Sequence, residues 1–159
     1  MMGATLFTVG YEGLTVEGLI QALKENGVSR LVDVRESPRS RKAGFSSRKL
    51  ESHLEGNGIQ YIHIRDLGSP KDLRDNYRMD GDFRNFSLEF EKLLASRTSE
   101  MERVARLASE KTTALMCYEA DHSTCHRSII ANRLAGMGFE IRNISPVHVA
   151  SVCEGSKSP

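Results

Sequence analysis

A chain of 159 residues, 39% hydrophobic and 27% charged, holds enough apolar material for one domain with its own core, which excludes a disordered chain and makes a disulfide or metal staple unnecessary for folding. A formal net charge of +1 excludes whole-molecule attraction to a polyanion, so any contact with phosphate must come from a local patch. Three cysteines, an odd number, do not make an extracellular disulfide framework; they point to reduced thiols in a cytoplasmic protein, with no export signal and no membrane span in the sequence.

Leu6–Val9 is a short apolar strand ended by Gly10 and Gly13. Val16, Leu19, Ile20 and Leu23 then recur at helical spacing between Thr15 and Asn26, with Gly27 as the C-cap. Arg30–Val34 is a second strand, Ser47–Asn57 a second helix closed by Gly56 or Gly58, and Gln60–Ile64 a third strand. Two successive βαβ units require parallel pairing, because a parallel neighbour is reached only through a crossover. Asp66 to Asn85 is polar and broken by Gly68, Pro70 and Gly81; it predicts a long excursion with at most a short helix, a length often functional. Phe86–Ala95 and Glu100–Ser109 are helices that frame the sheet without chemistry of their own, burying Leu88, Phe90, Leu93 and Leu94, then Met101, Val104 and Leu107. Thr112–Cys117 is the fourth strand. Ser123 caps a helix whose Ile129, Ile130, Leu134 and Met137 face the core, and Gly138 precedes a last strand, Phe139–Ile144. The expected fold is a single α/β domain over residues 1–150, with a mostly parallel sheet of about five strands flanked by helices, a long polar insertion after the third strand, and a frayed tail over 151–159.

In an open parallel sheet, ligands bind beyond the carboxyl ends of the strands, where loops and helix N-termini converge. Polar residues of this chain collect there: Tyr11 and Glu12 after the first strand, Asp33 and Arg35 at the second, His63 at the third, and Cys117, Tyr118 and Glu119 at the fourth. The segment from Cys117 to Arg127 is the most specific, with two thiols, two imidazoles and a guanidinium around a strand end and a helix start. A thiol in the first turn of a helix beside His and Arg is shifted toward thiolate, which favours Cys125 over Cys117, whose strand-end position suits a small buried hydrophobe. Asp33, Cys117, Glu119, Cys125 and His126 are therefore candidate catalytic groups. Tyr11, Arg35, Arg39 and Arg127 are candidate ligand-binding groups. Each also has a bland reading: Asp33 and Arg35 as a structural pair, His126 as a brace, His63 and His122 as incidental. From Arg35 to Lys49 six cations face Glu36 alone, around Pro38 and Phe45, a stretch able to close over a polyanion.

Thr8-Val9-Gly10-Tyr11, then Leu31-Val32-Asp33-Val34-Arg35 with Pro38-Arg39-Ser40, then Cys117-Tyr118-Glu119 with Cys125-His126-Arg127, resemble domain-of-unknown-function family 488. The likeness spans nearly the whole chain and implies a single α/β domain; it implies no particular activity, and it falls on the positions reached above. A weaker likeness to rhodanese-type sulfurtransferases rests on the Asp-Val-Arg segment after one strand and the cysteine after a later one. It stops at Tyr118 to Ser123, which lacks a compact Gly and Arg cradle for a thiol.

Three functions fit these residues. One is a hydrolase or transferase acting on a nucleotide or nucleic-acid component, with Arg35, Arg39 and Arg127 on phosphate and Asp33 or Glu119 as general acid or base. Another is a thiol-redox or metal site of Cys117, Cys125 and His126, with Glu119 nearby; the absence of a Cys-x-x-Cys pair and the position of Cys153 near the tail count against zinc, and a Cys117–Cys125 disulfide requires Cα atoms within about 7 Å. The third is a noncatalytic module that grips nucleic acid through Arg35 to Lys49. The first ranks highest: no metal or cofactor is expected, the expected partner is a phosphate-bearing small molecule or nucleic acid, and no membrane is involved.

Overall fold

Successive side chains of a strand point to opposite faces, and in this chain both faces are apolar. Phe7, Val9, Leu31, Ala114 and Met116 face one core, while Leu6, Val32 and Leu115 face another. A sheet covered on both sides is the environment of a parallel α/β fold. The computed structural model, which describes residues 4–145, has that architecture. Its five strands are β1 (Thr5–Gly10), β2 (Arg30–Asp33), β3 (Gln60–His63), β4 (Thr113–Cys117) and β5 (Glu140–Asn143). They form one sheet in the order β3-β2-β4-β1-β5, and every pairing is parallel. The expected tail over 151–159, and Cys153 with it, lies outside the described residues.

Helices α1 (Val16–Glu25) and α2 (Ser47–Glu55) cover the first face, and α4 (Phe83–Ala95), α5 (Thr98–Glu110) and α6 (His126–Ala135) cover the second. α1 buries Val16, Leu19, Ile20 and Leu23, the residues its spacing selected. The hydroxyl of Thr15 accepts from the Gly18 N–H at 3.0 Å and satisfies one of the unpaired donors of the first turn. Thr15→Ala is expected to cost about 1 kcal/mol, read from the urea midpoint at unchanged slope.

Three local expectations are corrected. The segment after β3 is largely helical: a single 3-10 turn at Arg65–Leu67 is followed by α3 (Lys71–Asp80), ten residues running from Pro70 to Gly81. No residue of α3 is fully buried, so it shows no apolar stripe to read from sequence. Ser123 does not cap α6. It sits in a separate 3-10 turn, His122–Thr124, capped by Asp121, and α6 starts after Cys125. Leu88 and Met137 are exposed, at 55% and 51%, and Leu93 is only partly buried, although Phe90, Leu94, Ile129, Ile130 and Leu134 are buried.

Candidate active site

β1, β2 and β4 bring their carboxyl ends side by side, and each end is fixed by a different polar device. At β2 the device is a buried ion pair. Asp33 has no exposed surface, and its carboxylate accepts from Arg35 Nη2 at 2.6 Å, from Arg35 Nε at 2.9 Å and from the Tyr61 hydroxyl at 2.6 Å. Arg35 Nη1 donates to the Tyr11 hydroxyl at 3.3 Å and to the Phe45 carbonyl at 2.9 Å. Burial works against the Arg35 charge, but the bonds and charge of Asp33, helped by Tyr11, outweigh it and hold the guanidinium above its ordinary value. Burial, and then the Asp33 carboxylate, push the Tyr61 hydroxyl up. Phe45 is buried and stacks on Tyr11 with ring centroids 4.4 Å apart, so the aromatic of the basic segment anchors that segment instead of facing a ligand. His63 Nε2 lies 2.7 Å from the Arg35 carbonyl and braces the same strand end.

At β1 and β4 the device is a close backbone approach. The Glu119 carbonyl lies against Gly10, where an added Cβ would come within 1.7 Å of that oxygen. With glycine there, Tyr11 N–H reaches the Cys117 carbonyl at 3.1 Å and Glu12 N–H reaches that of Tyr118 at 2.8 Å, extending the strand pairing into the turn. Gly68 makes a second such approach, against Glu36, and brings the chain ahead of α3 to the end of β2. Arg127, fully buried, clamps the β4 turn from behind. Its Nη1 donates to the Glu119 carbonyl and to Cys117 Sγ at 3.0 Å, and Nη2 reaches the Ala120 carbonyl at 3.4 Å. Its Nε has no partner among the described residues. Burial lowers the Arg127 pKa to about 10, against the attraction of Glu119 and Asp121, and the group stays cationic at neutral pH.

The start of α6 completes the floor. Cys125 is its N-cap, its sulfur accepting from the Arg127 N–H at 3.5 Å, so it stands at the positive end of a ten-residue helix. Its sulfur meets that of Cys117. Their Cα atoms are 7.6 Å apart, beyond the roughly 7 Å that limits a disulfide, so the condition set by the sequence for a disulfide is not met. Cys117 Sγ lies between the Arg127 guanidinium at 3.0 Å and the Glu119 carboxylate at 3.6 Å. His126 Nε2 lies 2.7 Å from the Val34 carbonyl, an acceptor only. Burial pushes its pKa down to about 4, against that bond, so at neutral pH the ring is neutral with its hydrogen on Nε2. The lone pair on Nδ1 faces Cys125 Sγ at 3.8 Å.

These residues border a cavity of about 500 Å³. Of the positions singled out by sequence, Tyr11, Arg35, Arg39, Cys117, Glu119, Cys125 and His126 share its wall, whereas Asp33 and Arg127 stand behind it. His122 is exposed and away from this cavity. The opposite wall was missed. Arg74, Tyr77 and Arg78 of α3 and Phe86 of α4 line it. Arg74 Nη1 pairs with Glu36 at 3.2 Å and also bonds the Ser69 carbonyl, which ties α3 to the end of β2. The spacing of Arg74, Tyr77 and Arg78, which places them on one helical face between Pro70 and Gly81, was the signal available.

The protein is an α/β domain with an all-parallel five-stranded sheet and a polar cavity at the carboxyl ends of its strands. Residues 15–134 match the family described as Domain of unknown function DUF488, and the chain belongs to that family. No curated protein and no solved structure matches the chain. Among the described residues no helix is long and apolar enough to cross a membrane.

Proposed function

We propose that the cavity binds a phosphate-bearing ligand, a nucleotide or a nucleic-acid component, and that the protein is a hydrolase or transferase acting on it. The observation that carries this reading is the union, in one concave site, of a basic rim with aromatic walls. Arg39 reaches the site from the loop after β2, and Arg74 and Arg78 from α3, while Tyr77, Phe86 and Tyr118 offer ring surface. Tyr118 is 47% exposed, as a ring that stacks on a base must be. Cations from two separate elements converging on one cavity suit a phosphate better than a neutral ligand. Glu119 stands at the floor within reach of a bound group, as acid or base. Arg35, Tyr11 and Asp33 position the strand ends, since their polar atoms are committed to one another. A reducing compartment such as the cytosol keeps the thiols reduced.

The test is calorimetric titration of chelator-treated protein with nucleoside mono- and triphosphates, inorganic phosphate and short oligonucleotides at low and moderate salt. Arg39→Ala and Arg74→Ala are each expected to weaken binding about 10- to 100-fold, the worth of a hydrogen bond to a charged group. Added salt should weaken it further. Nucleotide affinities that ignore both substitutions, or no binding by any of the phosphates, would refute the proposal.

A further inference from the structure

We infer that the floor of the cavity is a zinc site whose protein ligands are Cys117 Sγ, Cys125 Sγ and His126 Nδ1. The three ligand atoms lie within 4.8 Å of one another, and all three residues are buried. A tetrahedral zinc with thiolate and imidazole ligands holds neighbouring donor atoms about 3.5 to 4 Å apart; the 3.8 Å between Cys125 Sγ and His126 Nδ1 already has that spacing, and the two sulfurs, which touch, would move apart to admit the metal. Sequence spacing counted against zinc because the cysteines are eight residues apart with no Cys-x-x-Cys pair. The fold removes that objection, because β4 delivers one thiol and the N-cap of α6 delivers the other to the same point.

Two further features of the cluster are those of a metal centre. His126 donates its Nε2 hydrogen to the Val34 carbonyl, which fixes the ring and leaves Nδ1 bare toward the sulfurs; metal-bound histidines carry this kind of outer partner. Arg127, fully buried, has no carboxylate within ion-pairing distance among the described residues, and its Nη1 touches Cys117 Sγ at 3.0 Å. A buried cation in that position offsets the negative charge that thiolate ligands would bring to the cluster. Two adjacent thiolates repel unless a cation lies between them, and zinc is suited to the role because thiolate and imidazole donors select thiophilic metals over magnesium or calcium. All three residues line the cavity, so three protein ligands leave a fourth position open to it beside Glu119, the arrangement of a catalytic and not a structural zinc. A catalytic role for the metal rests on the cavity being the ligand site proposed above; metal binding itself does not.

The experiment uses the full chain, purified with reductant, stripped by chelator and titrated with cobalt(II) alone and then zinc, with no nucleotide present. One equivalent of cobalt should give the intense ligand-field bands of tetrahedral geometry with thiolate-to-cobalt charge transfer, and zinc should bleach them. Cys125→Ser and His126→Ala should each weaken cobalt binding by more than the roughly 10- to 100-fold that an outer partner is worth, and Cys153→Ser should leave it unchanged. Should a variant fail to fold by circular dichroism, X-ray absorption of the zinc-loaded wild type decides, two sulfurs and one imidazole being the expected protein shell. A reduced protein that binds no cobalt, an oxygen-only shell, or a spectrum lost in Cys153→Ser would overturn the assignment. Because the metal is read without nucleotide and the nucleotide without metal, either proposal can fail alone.

Discussion

Asp33→Asn is expected to destabilise the protein by about 3–5 kcal/mol, the cost of removing one partner from a buried ion pair. The carboxylate is fully buried and accepts from both Arg35 and the Tyr61 hydroxyl, while Arg35 is only 7% exposed. An amide in its place cannot match the guanidinium: it offers one acceptor where the carboxylate offers two, turns an N–H toward a donor, and leaves a buried charge without its counter-charge. The strand end held by this pair also positions Tyr11 through its hydroxyl and Phe45 through its carbonyl, so the loss spreads to the cavity wall. The measurement is urea unfolding by linear extrapolation. A second variant makes it specific: Asp33→Asn combined with Arg35→Met removes the stranded charge and should cost less than the two single changes added together. If Asp33→Asn lies within about 0.5 kcal/mol of wild type, the range of a surface change, the pair is solvated and Arg35 is free to hold a ligand after all.

Gly10→Ala should be the most damaging single methyl in the site. The new Cβ would fall 1.7 Å from the Glu119 oxygen and 2.4 Å from its carbonyl carbon, both backbone atoms with no rotamer to change. The turn after β4 must therefore lift, which pulls the Glu119 carbonyl from Arg127 and shifts Cys117 relative to Cys125. Overpacking of this kind costs about 3 kcal/mol or more, and cobalt binding should be lost with it. Gly13→Ala is the control. It has φ +82° with open space around it, so its cost is conformational, about 1 kcal/mol, and the site should survive. Measured stability together with amide exchange across residues 118–121 separates the two; equal behaviour would show that Gly10 does not support the turn.

The chain by itself determined the layers and the end of the sheet that matters. Apolar runs at β1, β2 and β4, separated by the helical spacing of α1 and α5, leave a parallel sheet as the arrangement that buries both faces, and the polar residues just past those runs mark the carboxyl ends. Tyr11, Arg39, Cys117, Glu119, Cys125 and His126 were legible there because strand order does not change which end of a parallel strand faces the ligand side. Partner choice was not legible. In sequence Arg35 could serve equally as a ligand contact or as the structural partner of Asp33, and in the fold its guanidinium bonds Asp33, Tyr11 and Phe45. Arg127 looked like a phosphate anchor and is a buried clamp on the turn after β4. Side-chain periodicity reports how much surface an element buries, not what lies across from it. α3, with no fully buried residue, therefore gave no apolar stripe, and only the spacing of Arg74, Tyr77 and Arg78 hinted at the rim they form. Only the tertiary structure brought together residues as distant as His126 and Val34, 92 positions apart, and closed Cys117, Cys125 and His126 into one cluster, because that contact depends on β4 and α6 meeting at a point no local spacing encodes.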